Sequence, residues 1–310
     1  MSGPVVAADT APEVPPAQVE TAVVEVTESR ASQVGAFTVR RALPRRNRRT
    51  VGPWCFVDHM GPATVDERGL GVAPHPHIGL QTVTWLLAGE ALHRDSLGNE
   101  QVIVPGQLNL MTAGHGVSHS EEGTGRYQGD LHGVQLWVAQ PSTTRDTAPA
   151  FEHHPELPQA DVEGAVATVL VGEFAGVASP ARRDTDHAGV DLDIRPGRTT
   201  MPLRSDYEHA VVVFAGAALV DGAVVEPGHL AYLGTGRDEV PLTATEPTRA
   251  LLVGGLPLDE PVLMWWNFVA RSRDEIIAAH NDWTVGAERF GRVDSRLPRI
   301  DVAPPPWRPR

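Results

Sequence analysis

Residues 74–87 read Pro-His-Pro-His-Ile-Gly-Leu-Gln-Thr-Val-Thr-Trp-Leu-Leu, and residues 117–122 read Val-Ser-His-Ser-Glu-Glu. In the first stretch His75 and His77 stand at i and i+2. Alternate side chains of an extended chain leave the same face, so both imidazoles point one way. Pro76 cannot donate to a ladder, which puts the pair at a strand start or edge. His119 and Glu121 repeat the spacing with one imidazole and one carboxylate. If the two stretches are neighbours in a barrel, four side chains converge on one interior point. A lone His-x-His fits an ordinary pair of strand histidines at least as well, so spacing alone leaves both readings open.

Short apolar segments separated by turns surround these stretches. Leu80–Leu87, Glu100–Val104, Leu108–Thr112 and Gly133–Val138 read as strands, with turns at Asp95–Asn99 and Pro105-Gly106. A second series follows: Ala165–Val171, Val190–Ile194, Ala210–Phe214, Ala217–Val220, His229–Leu233 and Ala250–Val253. Strands at this spacing without helices between them predict an all-β, duplicated architecture. Ile276, Ile277, Ala279 and Trp283 recur at helical spacing, so Arg273–Trp283 is the one substantial helix expected. The expected divisions are a mobile tail over 1–28, a first barrel over 29–140 and a linker over 141–158. A second barrel over 159–262 and a helix with a Pro-rich tail over 263–310 complete the chain.

Composition narrows the chemistry. The 310 residues carry a formal charge of −13, which disfavours phosphate-directed nucleic-acid binding. Every basic side chain is Arg, so Schiff-base and P-loop lysine chemistry are excluded. The run Arg40–Thr50 reads as a solvated loop with its guanidinium groups paired to carboxylates. Cys55 is the only cysteine, so no intrachain disulfide is possible. No apolar run reaches the ~18–20 residues that span a bilayer, and the first residues lack the features of a signal peptide. A cytoplasmic protein without membrane contact is expected.

Metal chemistry must therefore use imidazole and carboxylate. Three histidines and one glutamate suit Fe(II), Mn(II), Ni(II), Cu(II) or Zn(II). In an octahedral field four such ligands leave two open positions, and a tetrahedral ion would leave none.

Longer motifs add to this. GPWCFVDHMGP (52–62), PHPHIGLQTVTWLLAGEALHRDSLGN (74–99) and PGQLNLMTAGHGVSHSEE (105–122) together resemble the pirin family of bicupins, from about Val51 to Trp137. The resemblance resumes at WWNFVARSRDEI (265–276) and FGRV (290–293). It implies two cupin barrels, the first holding one metal ion, usually iron, through His75, His77, His119 and Glu121. Gln81 stands where the wider cupin pattern has a further glutamate, and its neutral amide is excluded as a ligand. His93, His115 and His132 are candidates to line the cavity or orient a ligand. Asp58 and His59 read first as turn and packing residues and second as neighbours of the cavity mouth, and Met111 and Trp137 as core rather than substrate-stacking residues. His209, Glu226 and His229 form no such pair, so the second barrel is expected to carry no metal. Bacterial pirins resemble quercetin 2,3-dioxygenases. The resemblance thus implies an aromatic substrate and dioxygen, with Glu121 accepting the substrate's hydroxyl proton. The alternative it implies is a metal-dependent regulator of a transcription factor or enzyme, with Arg40–Arg49 as its contact patch.

Overall fold

The computed structural model describes residues 23–35 and 37–307. Two seven-stranded sheets dominate it. The first runs Ala150–His154, Leu108–Thr112, Leu80–Ala88, Gly129–Ala139, Trp54–Val65, Phe37–Leu43, Arg30–Val34. The second runs Glu25–Glu28, His229–Gly234, Glu208–Ala215, Thr248–Gly255, His187–Ile194, Ala165–Val171, Gln159–Val162. Each faces a four-stranded sheet. In the first barrel its order is Val72–His77, Val117–Glu122, Ala91–Asp95, Glu100–Ile103. In the second it is Gly197–Pro202, Glu239–Ala244, Ala218–Val220, Ala223–Val225. The sheets correspond strand for strand, so the expected all-β pair of barrels is present.

The long strands are apolar on both faces because both faces are buried. Val211 and Val213 pack inside the second barrel with Met201, Val240 and Leu242. Their neighbours Val212 and Phe214 face the other way, into a core shared with Trp54, Trp85, Leu136 and Val138 of the first barrel. Period-two alternation thus assigns alternate residues to two different cores. Trp54 is the largest wholly buried side chain in the seam. Its indole N–H lies 3.2 Å from the Ala188 carbonyl and 3.1 Å from that of Gly254. Gly189 is a packing necessity here, since a Cβ would come within 2.9 Å of the Trp54 ring. Trp85 donates to Asp191, a fully buried carboxylate that also pairs with Arg249.

Three sequence expectations need correction. The 1–28 segment lies outside the described residues up to 22, but Glu25–Glu28 is a strand that pairs with His229–Gly234 of the second barrel. Within the supposed linker, Ala150–His154 is a strand paired with Leu108–Thr112. Both are edge strands with no fully buried residue and polar side chains at most positions, so they carry no apolar run to read. Finally, the basic run is not all loop: Arg40 and Arg41 belong to Phe37–Leu43. Pairing with carboxylates does hold for Arg41–Asp58 and Arg48–Glu25.

The helix covers Arg273–Val285. Ser272 caps its start by accepting from the Glu275 N–H, and Gly286 ends it in the left-handed region at φ 72°. Ile276, Ala279 and Trp283 are buried beneath it.

Two outcomes follow from this packing. Trp54→Ala removes a wholly buried ring and its two hydrogen bonds, and is expected to cost about 3–5 kcal/mol in denaturant unfolding. Acid should also weaken the fold. Burial pushes His59 down to about 3, and His187 and His209 down to about 4. An unfolded imidazole titrates near ~6.5. Below that pH the unfolded chain binds more protons, so this contribution is complete above about 6.5 and is lost as pH falls through about 4. Calorimetry of metal-free protein should show Tm falling from pH 7 to pH 5; a flat Tm would contradict the assignment.

Candidate metal centre

Strands Val72–His77 and Val117–Glu122 are antiparallel neighbours, with His119 opposite His75 and Val117 opposite His77. This register carries the three imidazoles to one place. His75, His77 and His119 are all buried, and their ligand atoms lie within 4.8 Å of one another. Ring centroids are 4.4–4.9 Å apart.

The Nδ1 atoms fix which nitrogen faces inward. His75 Nδ1 lies 2.9 Å from the Ala73 carbonyl, and His77 Nδ1 lies 3.1 Å from that of Asn267. A carbonyl only accepts, so both Nδ1 atoms carry the proton and both Nε2 atoms present lone pairs. His119 Nδ1 approaches His93 Nδ1 at 3.4 Å, and His93 Nε2 meets the Asp95 carboxylate at 3.1 Å. Asp95 accepts from His93, which leaves His93 Nδ1 as the acceptor for His119. The chain Asp95–His93–His119 therefore aims the third Nε2 inward as well.

This arrangement is a test of fit for a metal ion. His77 Nε2 and His119 Nε2 stand 3.0 Å apart with a lone pair on each. Two lone pairs at that distance repel unless a positive charge sits between them. Two adjacent ligands at right angles, each ~2.1 Å from one ion, would be separated by about 3.0 Å. Burial holds His75 down at about 4, and His77 and His119 well below their ordinary value, with neighbouring imidazoles adding to the effect. All three are neutral at pH 7, the form that binds metal. The residues present fit a divalent transition metal.

Glu121 departs from the expected geometry. Four convergent side chains were expected; three converge, and the carboxylate falls outside the cluster. The register with the neighbouring strand also shifts here, Glu121 pairing with Val72 rather than Ala73. Glu121 nevertheless lines the same cavity, and burial raises its pKa. Thr84 Oγ1 lies 3.3 Å from it and 2.9 Å from Gln135 Oε1. One hydroxyl proton cannot serve both. Turning the Gln135 amide so that its otherwise unpartnered nitrogen donates to Thr84 frees that proton for Glu121.

The cavity measures about 420 Å³. Phe56 and Trp137 stack at 3.9 Å on one wall, and the Trp137 ring meets His77 edge-on at 5.2 Å. Trp137 and Met111, expected as core, are buried in one cluster with Cys55 and Leu80, and the Trp137 ring also forms part of the cavity wall; Val134, Leu136 and Val138 supply the seam. Asp58 also lines the cavity, whereas His59 faces away and meets His132 at 2.8 Å beside Phe214. Both sit on a strand rather than in a turn.

Of the three further histidines proposed, only His93 touches a ligand. His115 is exposed and bonds the Thr147 carbonyl, and His132 faces the seam. Gln81 is buried and donates to Thr112. Cys55 is wholly buried, with its thiol pushed up to about 12, which removes it from nucleophilic chemistry.

Sequence reasoning missed the contribution of the C-terminal segment. Trp266, Asn267 and Ile300 line the cavity, and the Ile300 N–H bonds the Pro74 carbonyl at 2.8 Å. Gly79 permits this approach, because a Cβ there would sit 2.2 Å from the Val269 carbonyl. No spacing rule links residues so distant in sequence.

In the second barrel the equivalent strands pair Thr199 with Leu242 and Met201 with Val240. Apolar core fills that interior. His229 bonds the Glu226 carbonyl, and His209 lies against Tyr207.

His93→Phe keeps the ring that stacks on Phe151 at 4.4 Å but removes the nitrogens that orient His119. It is expected to weaken Zn(II) binding about 10–100-fold by competition titration; unchanged affinity would contradict the role given to His93.

Residues 36–138 match the Pirin family model, and residues 189–291 match the model of the Pirin C-terminal cupin domain. A Pseudomonas aeruginosa protein, provisionally named a quercetin 2,3-dioxygenase, is 46% identical over 284 residues, covering 90% of each chain. A pirin-like protein of Caulobacter vibrioides is 38% identical, covering 87% of this chain and 96% of its own. The crystal structure of a quercetin 2,3-dioxygenase from Acinetobacter baumannii superposes with a TM-score of 0.89 at 40% identity, covering 93% of this chain and 97% of that one. Two matched barrels, three inward-facing imidazoles and these likenesses place the chain in the pirin family, as a bicupin.

Proposed function

We propose that this chain is a metal-dependent dioxygenase acting on planar aromatic enols, flavonols such as quercetin among them. The observation that carries this reading is the convergence of three neutral imidazole Nε2 atoms in a cavity walled by stacked aromatic rings. The relatives' names support the same reaction class. His75, His77 and His119 would hold the ion, Fe(II) by preference, and Glu121 would complete the set. When bound, such an ion supplies Lewis acidity and a route for electrons to dioxygen.

The chain's own side chains do the rest. Phe56, Trp137 and Trp266 give a flat substrate aromatic surfaces to lie against. Val39, Met60 and Val72 line the apolar side and exclude water. The carbonyls of Ala73 and Asn267 keep the imidazoles from rotating. Glu121 accepts the proton of the enolic hydroxyl at its carboxylate. Burial makes it a stronger base than an exposed glutamate, which suits this transfer.

Metal-loaded protein is expected to consume oxygen in the presence of quercetin, and His75→Ala to abolish uptake along with metal binding. Full metal occupancy with no turnover of any flavonol would instead favour a regulatory role. Glu121→Gln should lower kcat by about 10²–10⁴-fold. In the parent protein kcat should fall on an acid limb as the Glu121 carboxylate takes up a proton. An unchanged limb in the variant would remove Glu121 from the proton transfer.

A further inference from the structure

Arg41 is the one cationic Arg or Lys side chain on the cavity wall among the described residues. It lies on Phe37–Leu43, in the run that reads as a solvated loop. Asp58, itself buried, takes two of its donors: Nε at 2.7 Å from Oδ1 and Nη2 at 2.6 Å from Oδ2. The guanidinium also lies over the Phe56 ring, 4.4 Å from its centroid. Held by two bonds and one ring, it has a fixed plane and direction. Its third nitrogen, Nη1, makes no hydrogen bond among the described residues. The Arg41 side chain retains 19% exposure while that of Asp58 retains 3%, so the open edge of the fork, not the salt bridge, is what a ligand can reach.

The stack Arg41–Phe56–Trp137 ends edge-on at His77. A flat ligand lying along this wall would have one end at the imidazoles and the other at the guanidinium. An oriented Arg edge in a largely apolar cavity seeks an oxygen acceptor, an anionic one above all, because charge-assisted bonds are the stronger kind. Asp58 then serves as the anchor that keeps the fork in place.

We propose that Arg41 is a specificity-determining residue that receives an anionic oxygen, carboxylate or ionised phenol, on the end of an aromatic substrate remote from the three histidines. This rests on the reading of the cavity as a substrate site and narrows it to acidic aromatics. A neutral isostere meets Nη1 with at most an uncharged acceptor and is held more weakly, so the site favours the anion.

The test uses the full chain, with and without Zn(II), and follows quenching of tryptophan fluorescence by 2-naphthoate, ionised 2-naphthol and neutral 2-naphthamide. Arg41→Met is expected to weaken binding of at least one anion roughly ten- to a hundredfold while the amide hardly changes. Whichever anion responds tells the carboxylate from the phenolate. Arg41→Met leaves Asp58 buried and unpaired, so Arg41→Met/Asp58→Met, which removes the pair altogether, guards against a folding defect; it should show the same selective loss. Equal loss of all three probes, or no loss in either variant, overturns the proposal. Unaltered anion binding with unaltered quercetin turnover would overturn the role of Arg41 and leave the dioxygenase standing. Selective anion loss in a chain that consumes no oxygen with quercetin would uphold Arg41 and remove the dioxygenase.

Discussion

Two backbone carbonyls decide what this site is. By accepting Nδ1–H of His75 and His77, Ala73 and Asn267 turn the Nε2 lone pairs of both rings inward. Without that lock a buried imidazole can present either nitrogen, and the cluster would be only a group of packed rings. Asn267 lies beyond the second barrel in sequence, so the centre is complete only when the C-terminal segment has docked. Its docking depends in turn on Gly79 and on the bond from Ile300 to Pro74. The oriented histidine cluster belongs to the whole chain rather than to the first barrel alone.

The two barrels have diverged at the same structural positions. In the first, the facing pair of short strands places histidines inside and a cavity beside them. In the second, Thr199, Met201, Val240 and Leu242 occupy the corresponding strands, with apolar core where the first barrel has imidazoles. What the second barrel supplies is the seam. Trp54, Phe214 and Leu251 bury there, and the strands bearing Phe56 and Trp137 turn their other faces to the cavity. Seam and cavity are thus opposite sides of one sheet.

Much of this was legible in the sequence, and the failures have physical causes. Strands with both faces buried announce themselves as apolar runs, and Ala165–Val171 was read to the residue. Edge strands such as Glu25–Glu28 and Ala150–His154 leave no such signal because neither buries a residue fully. The spacing of His75 and His77, and the place of His119 on a second strand, marked the rings that the fold brings together, whereas nothing local showed that the Glu121 carboxylate stands outside their cluster. Arg41 was hidden inside a run of exposed-looking arginines. Its strand parity and its partner Asp58 are facts of the fold, and neither leaves a local signal.

On this geometry three Nε2 atoms would surround one divalent ion. X-ray absorption on the protein as purified, paired with elemental analysis, tests it most directly. The account predicts one ion per chain whose scattering requires three imidazole ligands, and two after His119→Ala. An ion with no imidazole scattering, or a stoichiometric ion unmoved by loss of His119, would contradict it.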